Sequence, residues 1–404
     1  MNTQCCVVGG GPAGMMLGLI LARAGISVTV LEKHGDFLRD FRGDTAQPST
    51  LSVLDDLGLL ERFMQLPVQR TETLTASAAN GVFAIGDYRR LKPFPYLALV
   101  PQWDLLNMLA EEGRRYPGYR LLMRTEGREF IDEDGRVAGV RAVGPDGPVE
   151  IRADLVVGTD GRHSTMRAAA GFEPHELGAP MDVLWFRLSR REGDPETTGG
   201  FLGKGQFMVM LNRGTYWQIG YVIAKGGAQS LRAGPLDAFR SRLTALAPFL
   251  ADRVQEIQSW DALSLLEVQV DRIRRWHRPG LLLIGDAAHA MSPVGGVGVN
   301  VAIQDAVAAA NILGPVFRAG RAPEEVDLAR VQKRRERPVR VMQRVQIVIQ
   351  NRVVSRALEP GVGAMRIGPF GRFLFRFRFV RRIPARVFGL GFRRERVRLQ
   401  PKAG

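Results

Sequence analysis

Cysteine is nearly absent from this sequence of 404 residues. The two cysteines, Cys5 and Cys6, are adjacent in an apolar run. Neighbouring residues of a strand point to opposite faces, so a disulfide between them is not expected. The five histidines are scattered along the chain. The sequence therefore predicts no structural disulfide, a reducing cytoplasmic setting and no metal site.

Long apolar runs are also missing, because glycines and polar residues interrupt the uncharged stretches 1–22 and 287–304. We therefore expect no membrane-spanning helix, which needs roughly 18 to 20 predominantly apolar residues. The N-terminus has no basic segment and no secretory cleavage signal. Basic charge is concentrated at one end. Residues 366–404 contain twelve Lys or Arg and one acid, which is +11 of the net charge of +15. The rest of the chain is only mildly basic, so we expect no nucleic-acid partner.

A glycine cluster with a following acid stands near the N-terminus. Residues 9–14 follow an apolar run, open a segment with helical spacing and precede Glu32, which ends a second apolar run. This order is typical of a dinucleotide-binding βαβ unit. Gly9 would allow the tight turn, Gly11 would admit a pyrophosphate and Gly14 would let helix and strand pack closely. Glu32 would accept hydrogen bonds from ribose hydroxyls.

Two further clusters also follow apolar runs that read as buried strands. Asp160-Gly161 is followed at helical spacing by Ser164 and Arg167, and Gly285-Asp286 precedes the glycine-rich segment 293–300. Taken alone, each dipeptide is a common turn signal. Together with the first cluster, they predict one extended dinucleotide held at both ends and in the middle.

In this order and at these separations, the three clusters resemble the group A flavoprotein monooxygenases, the p-hydroxybenzoate hydroxylase-like family, over about residues 3–350. The resemblance implies an FAD cofactor. It implies that NAD(P)H, bound transiently in a surface groove that includes the second cluster, reduces the flavin. It also implies that O2 then forms a flavin C4a-hydroperoxide, which hydroxylates a small molecule without a catalytic protein nucleophile. The implied cofactor-binding residues are Gly9, Gly11, Pro12, Ala13, Gly14, Glu32, Lys33, Arg42, Gln102, Asp160, Gly161, Gly285, Asp286, Pro293, Gly295, Gly296, Gly298, Val299 and Asn300.

The segment after Asp286 combines glycines with the predicted start of a helix. Its glycines permit close backbone approach, and the Pro293 backbone is predicted to lie near the flavin. A helix predicted to begin near Val299 would direct N–H groups at the flavin's pyrimidine edge, where negative charge develops on reduction. His289 is interpreted as a structural hydrogen-bond partner rather than an acid or base.

The predicted fold class is α/β, with a Rossmann-like FAD-binding domain on a parallel sheet, a mostly antiparallel substrate domain and C-terminal helices. The predicted boundaries are 1–72, 97–180 and 271–360 for a discontinuous FAD-binding domain, 73–96 and 181–270 for the substrate domain, and 361–404 for a basic-aromatic C-terminal segment. A long basic helix is predicted over 323–356, kinked near Pro338.

The substrate domain contains large side chains at period-two spacing over residues 181–223. The candidate pocket residues are Trp185, Met208, Met210, Tyr216 and Tyr221. Ordinary sheet core explains each of them equally well. An apolar pocket would favour an aromatic or polyketide-like substrate.

Aromatic and basic residues alternate over residues 370–379. Two arrangements fit the segment 370–398 equally. It lies on the inner face of an anionic membrane, or it packs on the protein body with arginine heads in water.

Other enzymes can use the same cofactor motifs. An FAD-dependent oxidase, reductase or halogenase is therefore an alternative, although the Trp-x-Trp-x-Ile-Pro halogenase signature is missing from the sequence. A non-catalytic binding protein that has lost FAD is disfavoured, because Glu32, Asp160 and Asp286 are all retained.

Overall fold

A computed structural model of the chain describes residues 1–38, 44–196, 198–359, 366 and 368–402. Twenty β-strands lie within these residues: β1 (Asn2–Val8), β2 (Val28–Glu32), β3 (Thr45–Ala46), β4 (Gln69–Thr71), β5 (Thr73–Ala78), β6 (Gly81–Asp87), β7 (Leu97–Leu99), β8 (Tyr119–Met123), β9 (Glu126–Glu133), β10 (Arg136–Gly144), β11 (Gly147–Gly158), β12 (His175–Glu176), β13 (Met181–Ser189), β14 (Gly199–Gly203), β15 (Gln206–Asn212), β16 (Tyr216–Ala224), β17 (Ser264–Leu266), β18 (Asp271–Arg272), β19 (His277–Arg278) and β20 (Leu281–Leu283).

Twelve α-helices lie within the same described ranges: α1 (Pro12–Arg23), α2 (Pro48–Asp56), α3 (Leu60–Met64), α4 (Gln102–Gly113), α5 (Thr165–Ala169), α6 (Ala228–Arg232), α7 (Leu236–Leu246), α8 (Gly298–Arg318), α9 (Glu325–Ile349), α10 (Ser355–Leu358), α11 (Pro369–Arg376) and α12 (Arg378–Leu390).

The large sheet has the strand order β19-β20-β11-β1-β2-β8, and the antiparallel strands β9 and β10 extend from β11. Strands β20, β11, β1, β2 and β8 run parallel to one another. Their carboxyl ends therefore meet at one edge, where ligands of open α/β sheets bind. The predicted α/β class with a parallel sheet is confirmed.

The first βαβ unit follows its sequence signals. β1 is fully buried over its last four residues and ends at Gly9, whose φ of +112° suits glycine. Pro12 occupies the first turn of α1, where its missing N–H costs nothing. Gly25, with φ of +82°, follows the helix and turns the chain into β2. α1 packs on α8 at the sheet face.

The second sheet has the order β17-β13-β16-β15-β14-β5-β6 and is antiparallel except where β14 meets β5. One face of this sheet packs on α7 and forms a separate core around Phe186 and Phe239. The opposite face looks toward the large-sheet domain, because Gln218 on β16 lies beside Asp44. The two sheets thus enclose a junction at the carboxyl edge of the first.

The long basic helix differs from its prediction. α9 continues through Pro338 as one helix to Ile349, and a π-helical turn at Gln350–Val354 separates it from α10. The break falls at the π turn rather than at the proline. α8 is long and apolar enough to cross a membrane, but 72% of its most apolar window is buried, which is typical of a core helix.

The C-terminal segment contacts elements of both sheets. α12 lies along β6, the edge strand of the second sheet, and covers part of that edge. The chain then returns to the first domain, where Leu399 packs on Gly314 and Arg396 pairs with Asp56.

Candidate cofactor and substrate site

Residues of the three sequence clusters meet at the carboxyl edge of the large sheet. A β-carbon added to Gly9 would lie 2.5 Å from the carbonyl oxygen of Thr159, which joins the first and second clusters. A β-carbon added to Gly285 would lie 3.4 Å from that of Ala13, which joins the first and third. The fold thus brings together segments that are far apart in the chain, as the dinucleotide prediction requires.

The first glycine turn has both a crowded side and an open side. A β-carbon on Gly14 would lie 2.0 Å from the carbonyl oxygen of Gly9, so only glycine fits there. In front of Gly11, the nearest atom to an added β-carbon is 4.0 Å away. The first turn of α1 contains no acid, and no side chain caps it. Open space before free N–H groups fits the pyrophosphate of the FAD that the resemblance implies.

Glu32 ends β2 beside this turn and is buried. Its Oε2 accepts a hydrogen bond from Gly10 N at 3.0 Å, and its Oε1 accepts one from His34 N at 3.0 Å. These backbone donors fix the carboxylate against the glycine turn. The orientation fits a ribose hydroxyl. The neighbouring Lys33 is exposed.

The second cluster uses its polar groups within the fold. Asp160 accepts hydrogen bonds from Ser164 Oγ and from Met166 N, and Ser164 Oγ accepts one from Arg167 N at 2.8 Å. Burial raises the pKa of Asp160. These bonds start α5 directly after Gly161, whose φ is +87°. Arg167 is buried and pairs with Asp271, so Ser164 and Arg167 shape this turn, and a cofactor contact of the second cluster stays a prediction.

Asp286 lies on the short turn Gly285–Ala287 and is partly exposed at the edge. Its Oδ2 is 3.5 Å from Nη2 of Arg162, a residue that the sequence reasoning missed. The only sequence signal was the position of Arg162 directly after Asp160-Gly161. Because Arg162 also donates to the carbonyl of Glu267, it connects the edge to the chain leading into β18.

A buried ionic network lies behind Gly285. Asp305 of α8 accepts from Gly285 N at 3.2 Å, from Arg335 Nε at 2.8 Å, and lies 2.6 Å from His289 Nε2. Burial by itself would raise the pKa of Asp305, but His289 and Arg335 hold it below its ordinary value. His289 is therefore a structural partner, as interpreted from the sequence.

Asn300 fixes the start of α8 rather than presenting its side chain to a ligand. Its Oδ1 accepts from Gln47 N and Thr50 Oγ1, and its Nδ2 donates to the carbonyls of Thr45 and Gly296. α8 begins at Gly298, one residue before its predicted start, with no side-chain cap and no acid in its first turn. Its first N–H groups can therefore face an electron-rich ring.

Two glycines before α8 adopt conformations that favour glycine, with φ of +80° at Gly295 and +59° at Gly296. A β-carbon on Gly295 would lie 2.6 Å from the ring of Phe388, and one on Gly296 would lie 3.0 Å from Thr45 Oγ1. The turn after Pro293 is thus held between α12 and β3.

Two predicted contacts come from the segment between the first and second clusters. Arg42 lies outside the described residues. Gln102 begins α4, is partly buried, and donates its backbone N–H to Asp44 Oδ1 at 3.2 Å. No polar contact of its side chain is recorded within the described chain, so a cofactor contact of Gln102 stays a prediction.

A buried charged pair that the sequence does not predict lies at the junction of the two sheets. Nη2 of Arg213, on the turn before β16, lies 3.8 Å from Oδ2 of Asp44, and both side chains are 2% exposed. Both Nη atoms of Arg213 and Oδ2 of Asp44 have no hydrogen-bond partner among the described residues. Burial raises the pKa of Asp44 to about 6, although Arg213 opposes this. Nothing in the sequence marked these separated residues as neighbours.

The predicted pocket residues divide between the two faces of the second sheet. Met208, Met210 and Tyr221 were wrongly placed, because they lie in the core on the α7 face, away from the cofactor edge. The alternation of β15 and β16 puts them there.

Trp185 and Tyr216 lie on the other face. Trp185 covers Gly220 and packs in a cluster that includes Val294, and its Nε1 is buried without a partner in the described part of the chain. Tyr216, two residues before Gln218 on β16, is partly buried. This face of the sheet therefore presents an indole near Val294 and the amide of Gln218 beside Asp44.

Comparison with known proteins agrees with this geometry. A family model described as an FAD binding domain matches residues 2–345. The 6-methylpretetramide 4-monooxygenase of Streptomyces rimosus is 37% identical over 370 residues, covering 89% of this chain and 87% of that protein. The para-nitrophenol 4-monooxygenase of Pseudomonas sp. (strain WBC-3) is 26% identical over 345 residues, covering 81% and 82%. The structure of P. aeruginosa PqsL in complex with 2-aminobenzoylacetate superposes with a TM-score of 0.77 at 21% identity, covering 87% and 96%, which shows a shared fold.

Proposed function

The chain belongs to the FAD-dependent monooxygenases of group A, and on that premise we propose that it hydroxylates a polycyclic aromatic compound of polyketide type, with NAD(P)H as the reductant and O2 as the oxygen source. One observation carries the choice of substrate class. Trp185 supplies an indole on the face of the second sheet that packs with Val294, and Gln218 on the same face lies beside the buried pair Asp44 and Arg213. A flat aromatic ligand with acidic hydroxyl groups matches both features.

Different described residues would bind different parts of FAD. The first glycine turn and α1 receive the pyrophosphate, Glu32 receives a ribose hydroxyl, and Asp286 receives the sugar-like chain. The free N–H groups at the start of α8 stabilise negative charge on the ring. When bound, FAD supplies the activation of O2 and the transfer of one oxygen atom to the substrate, with water as the other product.

NAD(P)H enters this proposal as a transient co-substrate. The chain contains a single βαβ glycine turn with a following acid, and the proposal assigns that turn to FAD. The nicotinamide coenzyme would then use the outer surface near Gly161 and Arg162, where the guanidinium is partly exposed.

The Streptomyces rimosus relative supports this substrate class, because it is named a 6-methylpretetramide 4-monooxygenase. In this chain, Trp185 would lie against the ring system, and its unpaired indole N–H would donate to a carbonyl or hydroxyl oxygen. Arg213 would stabilise a phenolate or enolate, because its unpaired N–H groups lie in a buried environment.

We propose that the enzyme works in the cytoplasm and that residues 370–398 make peripheral contact with a membrane. A lipophilic substrate would collect at such a surface.

The test uses the FAD-loaded full-length enzyme with three groups of probes: polycyclic phenols of polyketide type, single-ring phenols, and saturated lipids of equal carbon number. Polycyclic phenols are expected to stimulate NAD(P)H consumption and to gain one oxygen atom by mass spectrometry. In Trp185→Phe, which keeps an aromatic ring but removes the N–H, KM should rise about tenfold with kcat little changed. NAD(P)H consumption that no aromatic probe stimulates would contradict the substrate class.

A further inference from the structure

The C-terminal helices expose an aromatic surface. Four apolar side chains of α11, of α12 and of the residue between them are exposed: Phe373 is 58% exposed, Phe377 39%, Phe379 63% and Ile383 56%. The rings form one group, with centroids of Phe373 and Phe377 4.9 Å apart and those of Phe377 and Phe379 5.8 Å apart. A contiguous exposed aromatic group on a soluble domain marks an interaction surface.

Arginines alternate with these aromatic residues along the chain. Arg372, Arg376, Arg378 and Arg386 are exposed on the same two helices. Residues 360–394 contain no aspartate or glutamate in the sequence, so no acid within this segment neutralises them. An apolar face bordered by arginines is the pattern of a helix that lies in the interface of an anionic bilayer.

The other side of α12 is fixed to the protein. Ala385 and Gly389 are buried, and a β-carbon on Gly389 would lie 3.0 Å from the ring of Tyr88. Phe388 covers Gly295 in the turn before α8. One helix thus has its aromatic face in solvent and its opposite face against the turn expected to contact the flavin.

We infer that α11 and α12 dock on an anionic lipid bilayer, with Phe373, Phe377, Phe379 and Ile383 inserted among the acyl chains and the arginines at the phosphates. This inference rests on the membrane contact in the proposed function. It adds the chemistry of the lipid and the residues that make the contact. Docking would place α12, whose Phe388 covers Gly295 in the turn before α8, next to the lipid. Arginine suits the phosphates, because its guanidinium matches phosphate geometry.

The test measures co-flotation of the full-length, FAD-loaded protein with vesicles. One set contains phosphatidylglycerol in phosphatidylcholine, and the other contains phosphatidylcholine alone. We expect at least about tenfold tighter binding to the anionic set, with loss at high salt. The triple variant Phe373→Ser, Phe377→Ser, Phe379→Ser should weaken binding by about tenfold or more, because each ring loses its apolar burial.

Matched controls distinguish binding through this aromatic and basic surface from nonspecific adsorption to vesicles. Val143→Ser and Val326→Ser remove exposed apolar groups elsewhere and should leave binding unchanged. Arg372→Gln, Arg376→Gln and Arg378→Gln together should weaken anionic binding. Arg128→Gln, Arg141→Gln and Arg152→Gln, which are equally exposed on the β9–β11 sheet, should not.

Equal binding to both vesicle sets, no binding to either, or unchanged binding by both helix variants would overturn the inference. An acidic protein partner would appear as binding to neither vesicle set. FAD content and turnover are measured on the same samples. Turnover without vesicle binding removes only the membrane inference, whereas vesicle binding without oxygenation of any probe removes only the proposed reaction.

Discussion

Arg162 Nη2 lies 3.5 Å from Oδ2 of Asp286, although 124 residues separate them in the chain. The contact links the second and third clusters at the mouth of the site. It is partly exposed and long, so it adds little stability by itself. Its importance is that the carboxylate is positioned at the edge while still able to accept from a ligand hydroxyl.

Asp286→Ala should weaken FAD binding by about tenfold or more, because a hydrogen bond to a charged group is lost. Bound FAD per protein after gel filtration, together with a fluorescence titration, measures the change. Asp261→Ala, an exposed acid on the second domain, is the matched control and should retain full occupancy. Normal affinity in Asp286→Ala would remove Asp286 from the cofactor site.

A glycine-to-alanine substitution should have different effects on the two sides of the first glycine turn. Gly14→Ala would place a β-carbon 2.0 Å from the Gly9 carbonyl and should prevent a stable fold. Gly11→Ala has 4.0 Å of clearance within the protein, so its apoprotein should melt near the wild-type temperature. FAD affinity should nevertheless fall, because the new methyl group occupies the space for the pyrophosphate. Unchanged FAD affinity in Gly11→Ala would place the cofactor elsewhere.

Asp44 predicts a pH dependence of stability. Its pKa is about 6 when folded, against about 3.9 unfolded, so the folded state binds the extra proton. Stability relative to Asp44→Asn should therefore decline as pH rises from about 4 through about 6, by about 3 kcal/mol at most. Arg213 and Asp104 are the charged groups that face this junction, and both remain in the variant. Urea unfolding across this range measures the difference, and parallel pH profiles for the two proteins would contradict it.

Asp305 predicts the opposite sign. Its folded pKa is held below the ordinary value, so its contribution is complete above about pH 4 and is lost as the pH falls through the folded pKa. Asp305→Asn leaves Arg335 buried without its charge partner and should cost about 3–5 kcal/mol at neutral pH. Asp237→Asn, an exposed acid on α7, is the control and should change stability little. Unchanged stability in Asp305→Asn would show that the ionic network around Asp305 does not hold the Gly285 turn.

The sequence was informative where chemistry requires a particular residue at a particular place in the chain. The strand before Gly9, the proline that opens α1 and the acid that ends β2 are local signals, and the structure assembles them as predicted. The family resemblance needed the second and third clusters as well, in their order along the chain.

Contacts between distant segments could not be predicted in this way. The Asp44–Arg213 pair depends on how the second sheet sits against the β3 segment. The face on which Met208 lies depends on the register of β15, since a shift of one residue reverses every side chain. For the C-terminal segment, the sequence allowed packing or membrane contact, and α12 packs one face on the protein while its aromatic face remains exposed.

The central claim is that one FAD lies along the carboxyl edge of the large sheet, from Glu32 to the start of α8. The most direct measurement is the visible absorption spectrum and flavin stoichiometry of the purified chain, before and after reconstitution with FAD. The account predicts a yellow protein with one FAD per chain, and reduced occupancy in both Gly11→Ala and Asp286→Ala. A folded, colourless protein that takes up no FAD on reconstitution would contradict it.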